Sequence, residues 1–143
     1  MYRILILLPI VCWILKTTKE PANFVELRKR YQILMDYINN NPNVDPKFKP
    51  VGQPIQLTAW RNLSMLGYNV NKGAEIGICT DGSANDMMHI LIHELAHSTL
   101  DKYKHNDEFW DNTTELTKLC EKIGIYNPIE STKIFCGKPI KDQ

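Results

Sequence analysis

His93, Glu94 and His97 are the residues of this chain best placed to do chemistry. They stand in the run His93-Glu94-Leu95-Ala96-His97, the spacing H-E-x-x-H. On a helix, residues four apart share a face, so both imidazoles can reach one metal ion. Zinc suits such ligands, and Glu94 beside them can take a proton from a zinc-bound water. By average composition the pattern arises by chance in roughly one chain in a few hundred of this length, so its surroundings have to agree.

Catalytic zinc takes three protein ligands and keeps a position for water. His89 lies on the same face, one turn before His93. At 1.5 Å per residue it is about 12 Å from His97 along the axis. Two ligands about 2 Å from one metal cannot span that distance. His89 is therefore expected to be a cleft residue or a packed histidine. Asp101 fails the same measure unless the helix ends before it. The third ligand should come from beyond the helix. His105 is the favoured candidate, because it stands eight positions after His97, which leaves room for a turn back. Glu115 and Glu121, on the following helix, are carboxylate rivals.

The elements that must position these groups can be read in outline. Residues 74–80 read as a short strand, broken by Asp81-Gly82-Ser83. Ser83 or Asn85 can then cap a helix over about 86–100, with Met87, Ile90, Leu91, Leu95 and Leu100 on its buried face. The next helix starts at Asn106 or Asp107 and runs to Lys122 or Ile123, with Phe109, Trp110, Thr113, Leu116, Cys120 and Ile123 on its inner face and Gly124 as its stop. Upstream, Phe24, Leu27, Tyr31, Leu34, Met35 and Ile38 recur at helical spacing over 22–39, ending at Asn39-Asn40-Asn41-Pro42. The proline-rich stretch 41–54 reads as a loop or an extended wrap. Residues 55–72 contribute Ile55, Leu57, Trp60, Leu63, Met65 and Leu66 to a core without a clear element. Residues 126–143 read as a tail.

A length of 143 residues suits one domain with a single core. A net charge of +1 leaves no electrostatic footprint for nucleic acid or an anionic membrane. Arg28-Lys29-Arg30 reads as a solvated helix face. The first twenty residues stand apart, because Ile4 to Leu15 is almost wholly apolar and is flanked by Arg3, Lys16 and Lys19. That run suits a signal-peptide core better than a full span of about 20 residues. No small-x-small cleavage site follows, so residues 1–20 are expected to be a signal or short uncleaved anchor segment, with a buried strand or helix as the alternative, ahead of a domain over 21–143. Membrane association through residues 4–15 would place the domain on a membrane or in the secretory pathway. Asn62 and Asn112 match the glycosylation acceptor pattern, which matters only for a lumenal domain. Of the four cysteines, Cys12 falls in the apolar run. Cys79, Cys120 and Cys136 remain, which argues against a full disulfide framework and leaves one bridge open.

Several segments together resemble WLM-domain metalloproteases, relatives of the SprT-like (Spartan) proteases. They are Leu66-Gly67-Tyr68-Asn69-Val70-Asn71-Lys72-Gly73, Glu75-Ile76, the H-E-x-x-H helix, His105-Asn106 and Phe109-Trp110. The resemblance is strongest over residues 60–122. Tyr126-Asn127-Pro128 and Phe135-Cys136-Gly137 are similar to the tails of small WLM-type proteins of large DNA viruses, which implies virion association as a further possible location. The resemblance implies a zincin-like α+β domain, with the active-site helix beside a small sheet. It implies zinc ligands His93, His97 and His105, with Glu94 catalytic. It also implies that strand 74–80 borders the cleft and pairs with an extended substrate as an exposed edge. Cellular relatives usually carry further modules for DNA, ubiquitin-like modifiers or partners, which this length does not accommodate. Their role in DNA–protein crosslinks is therefore not expected to transfer. The expected function is zinc-dependent hydrolysis of a protein or peptide substrate. The rival is an idle, zinc-stabilised module acting as a membrane-tethered interaction protein.

Overall fold

A computed structural model describes residues 20–61, 65–70 and 74–143. The apolar run expected to act as an anchor, and Asn62 with its acceptor pattern, lie outside the described residues. Among the described residues no helix is long and apolar enough to cross a membrane.

Helix α1 spans Ala22–Asn40 and buries Phe24, Leu27, Tyr31, Leu34 and Ile38. The three- and four-residue steps that mark it in sequence are the stripe it turns to the core. Asn23 Nδ2 donates to the carbonyls of Thr80 (2.9 Å) and Gly82 (2.7 Å), tying α1 to the turn that leads into the H-E-x-x-H helix. The stretch read as a loop contains a 3-10 helix, Pro46–Gly52. Asp45 caps it by accepting from the Lys47 N–H at 3.0 Å, and Phe48 and Val51 enter the core. Proline's fixed φ suits such a first turn, so the residue that suggested irregularity starts an element.

Residues 55–72 supply two strands, β1 (Gln56–Trp60) and β2 (Gly67–Val70). With β3 (Glu75–Cys79) they form a sheet in the order β1-β3-β2. β1 runs parallel to β3 and β2 antiparallel to it. The strand expected as an exposed edge is therefore central, and this corrects the sequence reading. The reason lies in its side chains: Ile76, Gly77, Ile78 and Cys79 are all buried. Consecutive burial is the mark of a strand covered on both faces. Ile76 and Ile78 meet the helices, while the Tyr68 ring occupies the space over Gly77 that a Cβ would need. Met65, expected in the core, is 42% exposed in the folded domain.

Helix α2 (Ala84–His97) packs on β3 and β2. Ser83 and Asp86 form a reciprocal capping box, with Asp86 N–H donating to Ser83 Oγ at 3.1 Å and Ser83 N–H to Asp86 Oδ2 at 3.2 Å. The helix ends three residues earlier than its expected limit. The hydroxyls of Ser98 and Thr99 donate back to the carbonyls of Leu95 and Ala96, and the chain leaves the helix there. Helix α3 (Asp107–Lys122) starts at Asn106 and ends before Gly124, whose φ is +79°.

The expected tail is folded. β4 (Lys133–Phe135) and β5 (Lys138–Ile140) pair antiparallel across a two-residue turn. Both turn residues have positive φ, Cys136 at 48° and Gly137 at 74°, as a tight hairpin requires. Phe135 packs against Gly82, and Cys136 is disulfide-bonded to Cys79 at the end of β3. Cys120 is buried and free, its thiol pushed up to about 12 by burial. The result is a small mixed α+β domain.

Candidate metal centre

Helix α2 delivers His93 and His97 to one face, and the segment before α3 returns His105 to them. Their ligand nitrogens all lie within 4.8 Å of one another. His93 Nε2 and His105 Nε2 are 3.2 Å apart. Two nitrogens on one tetrahedral zinc, each about 2.05 Å from it, stand about 3.3 Å apart. The His93–His105 pair therefore matches the spacing of two ligands on one zinc ion, and the trio has the right donor type to hold one.

The rings are held by aromatic packing. Phe109, fully buried, touches all three, with centroids 5.0 Å from His93, 4.4 Å from His97 and 4.8 Å from His105. Trp110 flanks His93 and His105, and Tyr103 stacks on His97 at 4.1 Å and 6°. This apolar shell acts on charge. Burial, then the neighbouring imidazoles, push His93 down to about 4, and burial and His105 do the same to His97. Both rings are thus neutral at pH 7, the form that donates a lone pair to a metal. His97 Nδ1 is buried with no hydrogen-bond partner among the described residues. Folding alone rarely leaves such an atom, whereas functional sites do.

Glu94 is only 8% exposed. Burial raises its carboxyl to about 7, and a hydrogen bond from the Tyr103 hydroxyl works against that rise. Its backbone carbonyl accepts from Asn69 Nδ2 at 3.0 Å, which ties β2 to the site. The other sequence candidates fall elsewhere. His89 Nδ1 faces Tyr126 Oη and Asp142 Oδ1, each at 3.1 Å. Glu115 is ion-paired with Lys47 at 2.8 Å. Asp101 and Glu121 are not in the group that could hold a metal either.

Nothing in the sequence gave Tyr103 a role, and Phe109 stood out there as part of the inner face of its helix. For Tyr103 the available signal was its place between two potential ligands. For Asn69 and Asp142 no local signal exists, because their partners are 25 and 53 positions away.

Asn106 deserves its own test because it positions His105. Its Oδ1 accepts the Phe109 N–H at 2.9 Å and so starts α3. Asn106→Ala is expected to lower stability by about 1 kcal/mol, read as a fall in thermal midpoint. No change would mean that the cap is not what begins the helix.

Fold and site together define a family. The WLM domain model matches residues 48–133, and the chain belongs to that family, which is associated with zinc metalloprotease activity. An uncharacterized protein of Acanthamoeba polyphaga mimivirus is 29% identical over 132 residues, covering 80% of this chain and 67% of that protein. That similarity is consistent with a viral WLM protein. No solved structure matches the chain.

Proposed function

We propose that the protein is a zinc-dependent metallopeptidase of the zincin kind, with His93, His97 and His105 as ligands and Glu94 as general base. The observation that carries this reading is the convergence of three imidazole nitrogens beside a buried carboxylate. Zinc, when bound, supplies an acidified water and polarises the peptide carbonyl. The chain's own contribution is proton handling. Glu94 takes a proton at its carboxylate and returns it to the leaving amine, the exchange for which a carboxyl titrating near neutrality is suited. Tyr103, donating to Glu94, orients that carboxylate.

The substrate proposed is a protein or peptide in extended form. β2 is the outer strand of the sheet on the side of Glu94, and an outer strand can add an extended peptide by backbone pairing. This moves the substrate edge expected of strand 74–80 to its neighbour. The idle-module reading has less support. A structural zinc needs no general base, and burying an ionisable carboxyl costs folding free energy. The Cys79–Cys136 bridge supports an oxidising compartment, in keeping with a signal or anchor segment over 1–20.

Metal analysis tests the ligand set. The wild-type protein is expected to hold one equivalent of zinc and to lose peptidase activity when a chelator removes it. His105→Ala should fail to retain zinc through dialysis, while Glu115→Ala and Glu121→Ala retain it. Zinc kept by His105→Ala and lost from a glutamate variant would overturn the assignment.

A further inference from the structure

One wall beside the proposed metal site is built from residues beyond the family match, which ends at residue 133. A cavity of about 280 Å³ opens next to His93, between α3 and the segment Lys141–Gln143. Ile92 and Trp110 line it near the metal, and Thr113 and Thr117 line the α3 side. The far wall is pinned in place. Asp142 Oδ2 accepts from the Tyr126 hydroxyl at 2.6 Å and from the Ile129 N–H at 2.7 Å. Its Oδ1 lies 3.1 Å from Nδ1 of His89, one turn before the ligand His93 on the same helix. The disulfide holds the hairpin that leads into this segment.

Size and chemistry decide what fits. Sites for drug-sized ligands run from about 300 to 1,000 Å³, so this cavity suits a single side chain better than a whole small molecule. Its threonines are less polar than they look. Thr113 Oγ1 donates to the Phe109 carbonyl at 2.7 Å, and Thr117 Oγ1 to the Thr113 carbonyl at 2.8 Å. With both hydroxyls donated to the helix backbone, Thr113 and Thr117 add little polar demand to the cavity, while Thr114, which also lines it, is exposed. Lys118, Glu121 and Lys141 are exposed and of mixed sign, so they favour neither an acidic nor a basic occupant.

We propose that this cavity is a specificity pocket that takes one apolar side chain, of leucine or phenylalanine size, from a substrate residue flanking the scissile bond. The proposal rests on the peptidase reading of the adjoining site, and two measurements separate the two. In the first, Glu94→Gln protein is titrated with N-acetyl-leucine methylamide and with its lysine and glutamate counterparts, following the Thr113 and Thr117 methyl resonances. The leucine probe is expected to shift both saturably and to bind at least about tenfold more tightly than the charged probes. Thr117→Phe, which fills the cavity, should abolish the shift at Thr113, whereas Thr117→Val, which keeps the methyl, should not. Equal binding of all three probes, or no shift with leucine, overturns the pocket whether or not the protein is a peptidase.

In the second, a peptide library is digested by wild type and variants. Apolar residues should be enriched at one position beside the cut, and Thr117→Phe should move that preference toward glycine and alanine by at least about tenfold. Cleavage without apolar enrichment, or with enrichment unchanged in Thr117→Phe, overturns the proposal. Leucine-probe binding with no cleavage by metal-loaded wild type sinks the peptidase reading, and with it the specificity role. The methyl shifts distinguish that result from failure of the pocket.

Discussion

Zinc-loaded Glu94→Gln protein is expected to retain the metal and to lose peptidase turnover by about 10²- to 10⁴-fold, the usual contribution of a positioned general base. Glutamine matches glutamate in shape but cannot accept the proton. Glu94 is outside the group of side chains that could hold a metal, so its replacement leaves all three imidazoles in place. The same substitution should not destabilise the fold. Burial holds the Glu94 carboxyl up at about 7, which means that the folded protein disfavours its ionised form. In the metal-free protein a neutral amide removes that penalty, so its thermal midpoint should be unchanged or higher. The three readouts are turnover on a peptide library, zinc content and a thermal melt. Equal turnover by both loaded proteins would sink Glu94 as the base. Lost turnover with lost zinc would instead give Glu94 a part in holding the metal.

The second large effect falls on stability. Cys79 and Cys136 are 57 positions apart, and closing a loop of that length restricts the unfolded chain by about 4 kcal/mol. Small domains have roughly 5–15 kcal/mol in total, so removing the bridge should take about a quarter or more of it. Urea melts of the oxidised protein and of the Cys79→Ser, Cys136→Ser double variant would measure the loss. The hairpin should loosen first, because Phe135, Ile129 and Ile140 bury their side chains only while it is docked. Cys120 is no substitute partner, since burial keeps its thiol protonated and out of reach. A loss below about 1 kcal/mol would mean that packing alone already fixes the hairpin.

What could be read from the sequence was what is encoded locally. The H-E-x-x-H spacing, the Ser83 cap and the apolar stripes of α1 and α3 each depend on neighbours within one or two turns. The exclusion of His89 followed from helix rise alone. The place of β3 in its sheet depends on partners elsewhere in the chain, and only its run of buried residues hinted at a central position. The early end of α2 was written in Ser98-Thr99, whose hydroxyls compete for the last carbonyls. The hairpin was harder to see. Its strands are three residues each, and one of its turn positions is a cysteine where glycine or asparagine would have marked the bend. Asp142 had no signal at all, because its partners His89, Tyr126 and Ile129 meet it only after the hairpin folds back.

The bridge from β3 to the hairpin turn has one more consequence. Residues 79–136 form a covalent ring, and the ring contains Glu94, Tyr103 and all three histidines of the proposed metal site. Its most exposed arc is 101–108, between the second and third histidines and just past the third. A single nick there, by another protease or by a second copy of this one, leaves both fragments joined. The nicked molecule would run as intact under non-reducing conditions and would part into two pieces only when the sulfurs are reduced.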